Sequence, residues 1–173
     1  SEDGEGVGER AGDGVDVGPA ADLLDGGPGG LSVPVLRLDP DLPMPGYAHP
    51  GDAGLDLYAR VDVTLEPGER AAVPCGIALA LPVGYVGLVT PRSGLAARYG
   101  LGMVNSPGVI DSGYRGELAV LLINHDRTDA VTLRRGERVA QLLVLVHPQV
   151  HLMAVEQLPG SRRGVGGFGS SGR

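Results

Sequence analysis

The sequence predicts an all-β domain, and three observations support this fold class. From residue 31 onward, short apolar runs rich in Val, Leu and Ile follow one another along the chain. Each is too short for a typical helix. Turn-forming sequences such as EPG at 66–68 and RRG at 134–136 separate them. The pattern is typical of a β-sandwich or barrel, with the main runs at residues 32–38, 71–81, 85–90, 118–123 and 139–146.

One short helix is expected among these strands, over residues 94–99. Ser93 precedes it and would lie near the N-cap, where free backbone N–H groups point outward. No internal repeat is evident.

Charge divides the chain into an acidic tail and a neutral domain. The net charge is −7, and residues 1–30 account for all of it, with eight acids and one Arg. The remaining 13 acids and 13 Arg balance. A nucleic-acid binder would need a basic face, so this composition argues against one. The chain has no Lys, which excludes Schiff-base chemistry and a Walker-type phosphate lysine.

The composition also bears on location and on domain limits. Cys75 is the single cysteine, which rules out an internal disulfide and fits a reducing cytoplasm. No apolar run reaches the length of a membrane span, and no signal peptide is visible. Residues 1–30, with ten Gly and no aromatics, are predicted to be a disordered tail, either inert or regulatory. Residues 31–158 would form the β domain and 159–173 a Gly-rich mobile arm.

The most informative segment is residues 105–116, which the pattern predicts to be a strand, a tight turn and a return strand. Asp111 follows two apolar residues and precedes a Ser-Gly turn. An Asp at such a place can simply satisfy turn geometry. Alternatively, with Tyr114 three residues later, it supplies a general base beside an aromatic wall for one small ligand.

Other candidates also carry two interpretations. Phe168, the only Phe, lies among glycines and is either an incidental exposed ring or part of a lid that stacks on a flat base. Arg92 is either a surface charge or a phosphate ligand. Gln141 is either a satisfied core amide or a site residue.

Two pairs of residues four apart in extended segments share a face. Asp52 lies beside Gly51, where turn capping is the ordinary role, whereas Asp56 lies between two leucines and should be paired. His147 and His151 suggest a metal only weakly, since no third ligand is near.

Five segments, in order, resemble the five motifs of the bacterial type of trimeric dUTP diphosphatases (dUTPases). They are DAGLDLY at 52–58, PRSGL at 91–95, NSPGVIDSGYRG at 105–116, GERVAQL at 136–142 and RGVGGFGSSG at 163–172. The resemblance spans residues 31–173. It implies a jelly-roll-like distorted barrel of the β-clip type, with one short helix and a flexible C-terminal arm.

The resemblance also implies an activity. A member of this family hydrolyses dUTP to dUMP and pyrophosphate with Mg²⁺, as a homotrimer with shared sites and without nucleic-acid or membrane partners. Asp111 would be the catalytic base, and Asp56 would hold the Mg²⁺ through water. The implied substrate-binding residues are Arg92, Ser93, Gly94, Asn105, Val109, Ile110, Asp111, Tyr114, Gln141, Arg163, Phe168, Gly169 and Ser170.

Two alternatives stay open beside this interpretation. A dCTP deaminase shares the fold, but members of that family generally lack a Gly-rich aromatic arm. A catalytically silent nucleotide sensor that signals through its acidic tail would need a broken site, and the candidate residues are all present. Family members differ in the length of the segment before the C-terminal arm, and here that segment, residues 155–161, is short. Its length determines whether Phe168 can reach the site of a neighbouring chain.

Overall fold

In the computed structural model, the described part of the chain is residues 30–167, and it is built mainly from short strands. It contains eleven strands and one helix: β1 Val35–Arg37, β2 Leu55–Tyr58, β3 Val63–Leu65, β4 Arg70–Pro74, β5 Ile77–Leu79, β6 Tyr85–Pro91, α1 Ser93–Tyr99, β7 Leu101–Met103, β8 Gly108–Ile110, β9 Ala119–Asn124, β10 Val131–Leu133 and β11 Arg138–Val146.

The strands form four small antiparallel sheets. The largest has the order β2-β11-β6-β8, and the next has the order β4-β9-β7. Two further pairs are β1-β5 and β3-β10. Residues 30–167 form no closed barrel, and the predicted jelly-roll-like, all-β fold with one short helix is confirmed.

The core lies between the sheets and consists of aliphatic side chains. β11 is the longest strand and has partners on both edges, and Val139, Ala140 and Leu142 in its first half are buried. Burying each such side chain fully contributes roughly 1.5–3 kcal/mol relative to leaving it exposed. The largest fully buried aliphatic side chains are those of Leu57, Val73, Leu81, Leu118, Val120, Leu122 and Val139.

The sequence pattern located the elements but not all of their limits. The run 71–81 is two strands rather than one, because the chain bends at Gly76, which has φ 72°. A Cβ there would lie 2.9 Å from atoms of Asp39 and Leu42. The helix begins at Ser93, one residue before the predicted start, and Arg92 is the N-cap, without a side-chain capping bond.

The predicted hairpin over residues 105–116 is wrong in its return strand. β8 pairs with β6, and both edges of the next strand, β9, are occupied by β4 and β7 in another sheet. The predicted turn is present, because the Tyr114 N–H donates to the Asp111 carbonyl oxygen at 3.1 Å. The chain then continues without regular structure to Ala119.

Within residues 30–167, no helix is long and apolar enough to cross a membrane.

Cys75 is buried beside the bend at Gly76, and its thiol should resist modification in the folded protein. Burial first, and then the charge of Glu117, raise the pKa of the Cys75 thiol to about 12. Since the thiolate is the reactive form, we expect no labelling by a thiol reagent at pH 8 until the protein is unfolded in guanidinium. Mass spectrometry of labelled samples measures this, and rapid stoichiometric labelling of native protein would contradict it.

Candidate phosphate-binding site

A polar pocket of about 430 Å³ lies where three separate parts of the chain meet. The loop before β2 forms one wall, the junction of β6 and α1 forms another, and β11 supplies the floor. Its lining residues are Ala48, Asp52, Ala53, Gly54, Asp56, Thr90, Arg92, Ser93, Gly94, Gln141 and Leu143.

Strand register explains why these parts converge. β11 lies between β2 and β6, and Gln141 is paired with Asp56 on one side and Thr90 on the other. The Gln141 amide Nε2 donates to the Pro91 carbonyl oxygen at 3.3 Å. The Gln141 side chain is therefore hydrogen-bonded and also lines the pocket.

The Asp56 carboxylate is paired with two arginines. Arg92 Nε lies 3.5 Å from Asp56 Oδ1, and Arg138 Nη1 lies 3.6 Å from Asp56 Oδ2. The Asp56 side chain is only 13 % exposed, so this pairing offsets the cost of its burial. A partner for Asp56 was expected from its place between two leucines, but Arg138 was not predicted, although it lies within the GERVAQL segment.

Asp52 has the ordinary turn role and a place in the pocket as well. Its Oδ2 accepts a hydrogen bond of 2.8 Å from the His49 N–H. This bond fixes the loop before β2, where Asp52 and Ala53 face the pocket.

Backbone N–H groups at the start of α1 are further hydrogen-bond donors that could bind an anion in the pocket. Ser93 and Gly94 are the first two residues of the helix, where N–H groups have no partner within the helix. With the Arg92 guanidinium, they give this wall a positive character suited to phosphate oxygens.

The substrate-binding residues expected in the segment 105–116 lie elsewhere in the single chain. None of Asn105, Val109, Ile110, Asp111 and Tyr114 lines the pocket. The first four lie in or beside β8, at the edge of the sheet, where Val109 and Asp111 are exposed.

Tyr114 is half-exposed, and its hydroxyl donates to the Glu117 carbonyl oxygen at 3.0 Å. A Cβ on Gly116 would lie 2.5 Å from that hydroxyl oxygen, so only glycine lets the ring approach the backbone here.

The arm residues contribute little to the described site. The Arg163 guanidinium is exposed and its Nε donates to the Gly166 carbonyl oxygen at 2.7 Å. Phe168, Gly169 and Ser170 lie outside the described residues. In residues 30–167, no group of three or more His, Cys, Asp and Glu side chains is arranged to hold a metal ion. His147 and His151 therefore belong to no such group in this part of the chain.

Gly54 provides a test of the pocket. A Cβ at this position would lie 2.4 Å from Gln141 Oε1 and 3.0 Å from its Cδ, so Gly54→Ala must displace the Gln141 amide. A small misplacement of a positioned group costs up to about 10²-fold in rate. For Gly54→Ala we therefore expect kcat/KM for dUTP, the substrate that the family resemblance implies, to fall roughly tenfold or more, with little change in Tm.

The matched control is Gly46→Ala, outside the pocket lining, where the nearest atom to a new Cβ is the Met44 carbonyl oxygen at 3.9 Å. Steady-state kinetics and thermal melts of both variants make the comparison. Wild-type kinetics for Gly54→Ala would show that the Gln141 position is unimportant.

The fold and the pocket define an all-β protein with a polar pocket shared among three chain segments. A family model described as dUTPase matches residues 41–172. The deoxyuridine 5'-triphosphate nucleotidohydrolase of Nocardia farcinica is 59% identical over 140 residues, covering 81% of this chain and 85% of the relative. The protein of the same name from Thermobifida fusca is 56% identical over 144 residues, covering 83% and 80%.

Solved structures agree with these relatives. The Staphylococcus bacteriophage 80alpha dUTPase with dUPNHPP has a TM-score of 0.77 at 32% identity, covering 82% of this chain and 99% of the other. A mutant dUTPase from phage phi11 of S. aureus, described with a structural Mg(II) ion, has a TM-score of 0.68 at 28% identity, with coverage of 75% and 99%. The chain belongs to the dUTPase family.

Proposed function

We propose that this protein hydrolyses dUTP to dUMP and pyrophosphate. The observation that carries the proposal is the pocket in which Arg92, Gln141 and the first residues of α1 meet around the Asp56 carboxylate. Three of the five family segments supply these groups. Relatives at 56–59% identity bear the name of this activity.

The phosphate chain occupies this pocket. The planar Arg92 guanidinium grips phosphate oxygens, and the backbone and hydroxyl of Ser93 and the backbone of Gly94 add hydrogen bonds. Gln141 donates its amide from the floor. As negative charge shifts onto the leaving pyrophosphate, these fixed donors stabilise it without reorganisation.

The donor set of the pocket fits a triphosphate-bound Mg²⁺. That ion keeps most of its waters and takes few protein ligands, and the pocket offers only Asp52 and Asp56 as carboxylates. Asp56, held by Arg92 and Arg138, would receive hydrogen bonds from the waters of the ion. When bound, Mg²⁺ neutralises charge on the phosphate oxygens.

The base and deoxyribose belong to the segment around β8. Backbone groups near Val109 and Ile110, with the Asn105 side chain, read the uracil edge. A fixed set of backbone donors and acceptors rejects the amino group of cytosine. Tyr114 packs on the deoxyribose and leaves no room for a 2′-hydroxyl, and Asp111 takes the proton of the water that attacks the α-phosphorus.

A homotrimer with shared sites joins these parts. In one chain the exposed Asp111 does not line the phosphate pocket, so a second copy would bring its β8 segment to it. Beyond β11, the apolar side chains of Val150, Leu152 and Leu158 are each at least 80% exposed, as expected of a segment that packs on a neighbour. Residues 159–173, with Arg163, Phe168, Gly169 and Ser170, would form the lid over the 31–158 domain.

The experiment is pyrophosphate release from dUTP by the full chain, with dTTP, dCTP and UTP as alternative substrates. We expect turnover of dUTP with strong preference over the other three. Tight dUTP binding without turnover would overturn the proposal that the protein is an enzyme and would favour a role as a nucleotide sensor. Ammonia release from dCTP would place the protein with the deaminases, and full activity after deletion of residues 1–30 would leave the acidic tail without a catalytic role.

A further inference from the structure

We propose that Glu117 is a positioning residue that sets the placement of Tyr114, and through it the discrimination against a ribose sugar. This inference rests on the proposed function. Glu117 follows the turn that contains Asp111, the proposed general base, and Tyr114. None of the five segments that resemble the family motifs includes Glu117.

Tyr114 is held through its hydroxyl, and the acceptor is the backbone of Glu117. The hydrogen bond measures 3.0 Å, and the ring lies directly over Gly116. The side chain of Tyr114 therefore follows any movement of the Glu117 carbonyl group. Since the ring is 44% exposed, packing against neighbours holds it only in part.

The Glu117 side chain is itself anchored to a different part of the fold. Its Oε1 accepts a hydrogen bond of 2.9 Å from the Gly76 N–H, at the bend between β4 and β5. Arg60 Nη1 lies 3.1 Å from each carboxylate oxygen. Charge-assisted hydrogen bonds of this kind are roughly twice as strong as neutral ones.

Arg60 is fixed in turn, so the anchor does not end in a free side chain. Its Nε lies 3.4 Å from Asp39 Oδ2, and its Nη2 donates to the Leu38 carbonyl oxygen at 3.3 Å. Asp39 is also paired with Arg135. The chain of contacts thus runs from the Arg135 turn to the hydroxyl of Tyr114.

Loss of this anchor should not unfold the domain. The next residue, Leu118, has independent backbone bonds to Cys75 and Ile77, at 2.9 and 2.8 Å. These bonds keep the start of β9 in place when the Glu117 side chain is removed. The effect of Glu117 is therefore confined to the preceding turn and its aromatic ring.

The test compares Glu117→Ala and Glu117→Gln with the wild-type protein. Because loosening a positioned group costs up to about 10²-fold, we expect Glu117→Ala to lower the ratio of kcat/KM for dUTP to that for UTP by roughly tenfold. Glu117→Gln retains an oxygen acceptor for the Gly76 N–H and should restore most of that ratio. Leu65→Ala, a buried substitution in β3, is the control for general destabilisation.

A second readout does not depend on turnover. Hydrogen exchange of the ligand-free protein should accelerate in peptides covering residues 111–117 and Gly76 in Glu117→Ala, but not in Glu117→Gln or Leu65→Ala. An unchanged dUTP-to-UTP ratio with unchanged exchange would overturn the inference while leaving the dUTP activity intact. Absence of dUTP turnover in the wild type would instead overturn the proposed function, and the exchange result would still decide whether Glu117 holds the turn.

Discussion

Replacing Asp111 by Asn should greatly slow the turnover of dUTP while leaving dUTP binding nearly unchanged. The amide has the size of the carboxylate but cannot accept the proton of the attacking water. General-base catalysis typically contributes about 10²–10⁴-fold, so we expect kcat to fall by that factor. The turn should survive, because the Tyr114 N–H donates to the backbone carbonyl of Asp111 and not to its side chain.

Single-turnover kinetics and calorimetric titration with a non-hydrolysable dUTP analogue separate the chemical step from binding. Asp62→Asn is the control, since it removes the same charge from an exposed carboxylate that is paired with Arg134 and lies outside the pocket. If Asp111→Asn kept more than about a tenth of wild-type kcat, a different group would have to be the base.

Local patterns predicted the elements of this fold well, and pairing between them poorly. Period and turn residues located β6, β9 and β11, because strand length and apolar content are local properties. The partner of β8 was predicted wrongly, since a turn sequence suggests a hairpin but cannot show that β9 is already paired on both edges. Sheet pairing depends on residues far apart in the chain.

The same distinction applies to the site. The family resemblance implied site roles for Arg92, Gln141 and Asp56, and the register of β11 with β2 and β6 brings these three residues into one pocket. Arg138 was missed, because only that pairing carries it to Asp56. The separation of Asp111 from the pocket could not be predicted either, since the motifs give order along the chain and not position in space.

Replacing Arg92 should cause the second large loss, because it removes the guanidinium that we propose binds the phosphate chain in the pocket. The loss of one donor aimed at developing charge costs about 10²–10³-fold in rate, and we expect a fall of that size in kcat/KM for Arg92→Ala. The domain should remain folded, because Arg138 still faces the Asp56 carboxylate. Thermal melts check this expectation.

Arg92→Lys distinguishes charge from geometry. Lysine keeps the charge but not the planar guanidinium, which can bind two phosphate oxygens at once and which in Arg92 also reaches Asp56. We therefore expect Arg92→Lys to recover only a minor part of the lost kcat/KM. Arg98→Ala is the matched control, since Arg98 is exposed in the last turn of the same helix and does not line the pocket. Equal losses of kcat/KM for Arg92→Ala and Arg98→Ala would show that Arg92 acts only through long-range charge. Full activity of Arg92→Lys would show that the planar geometry of the guanidinium is unimportant.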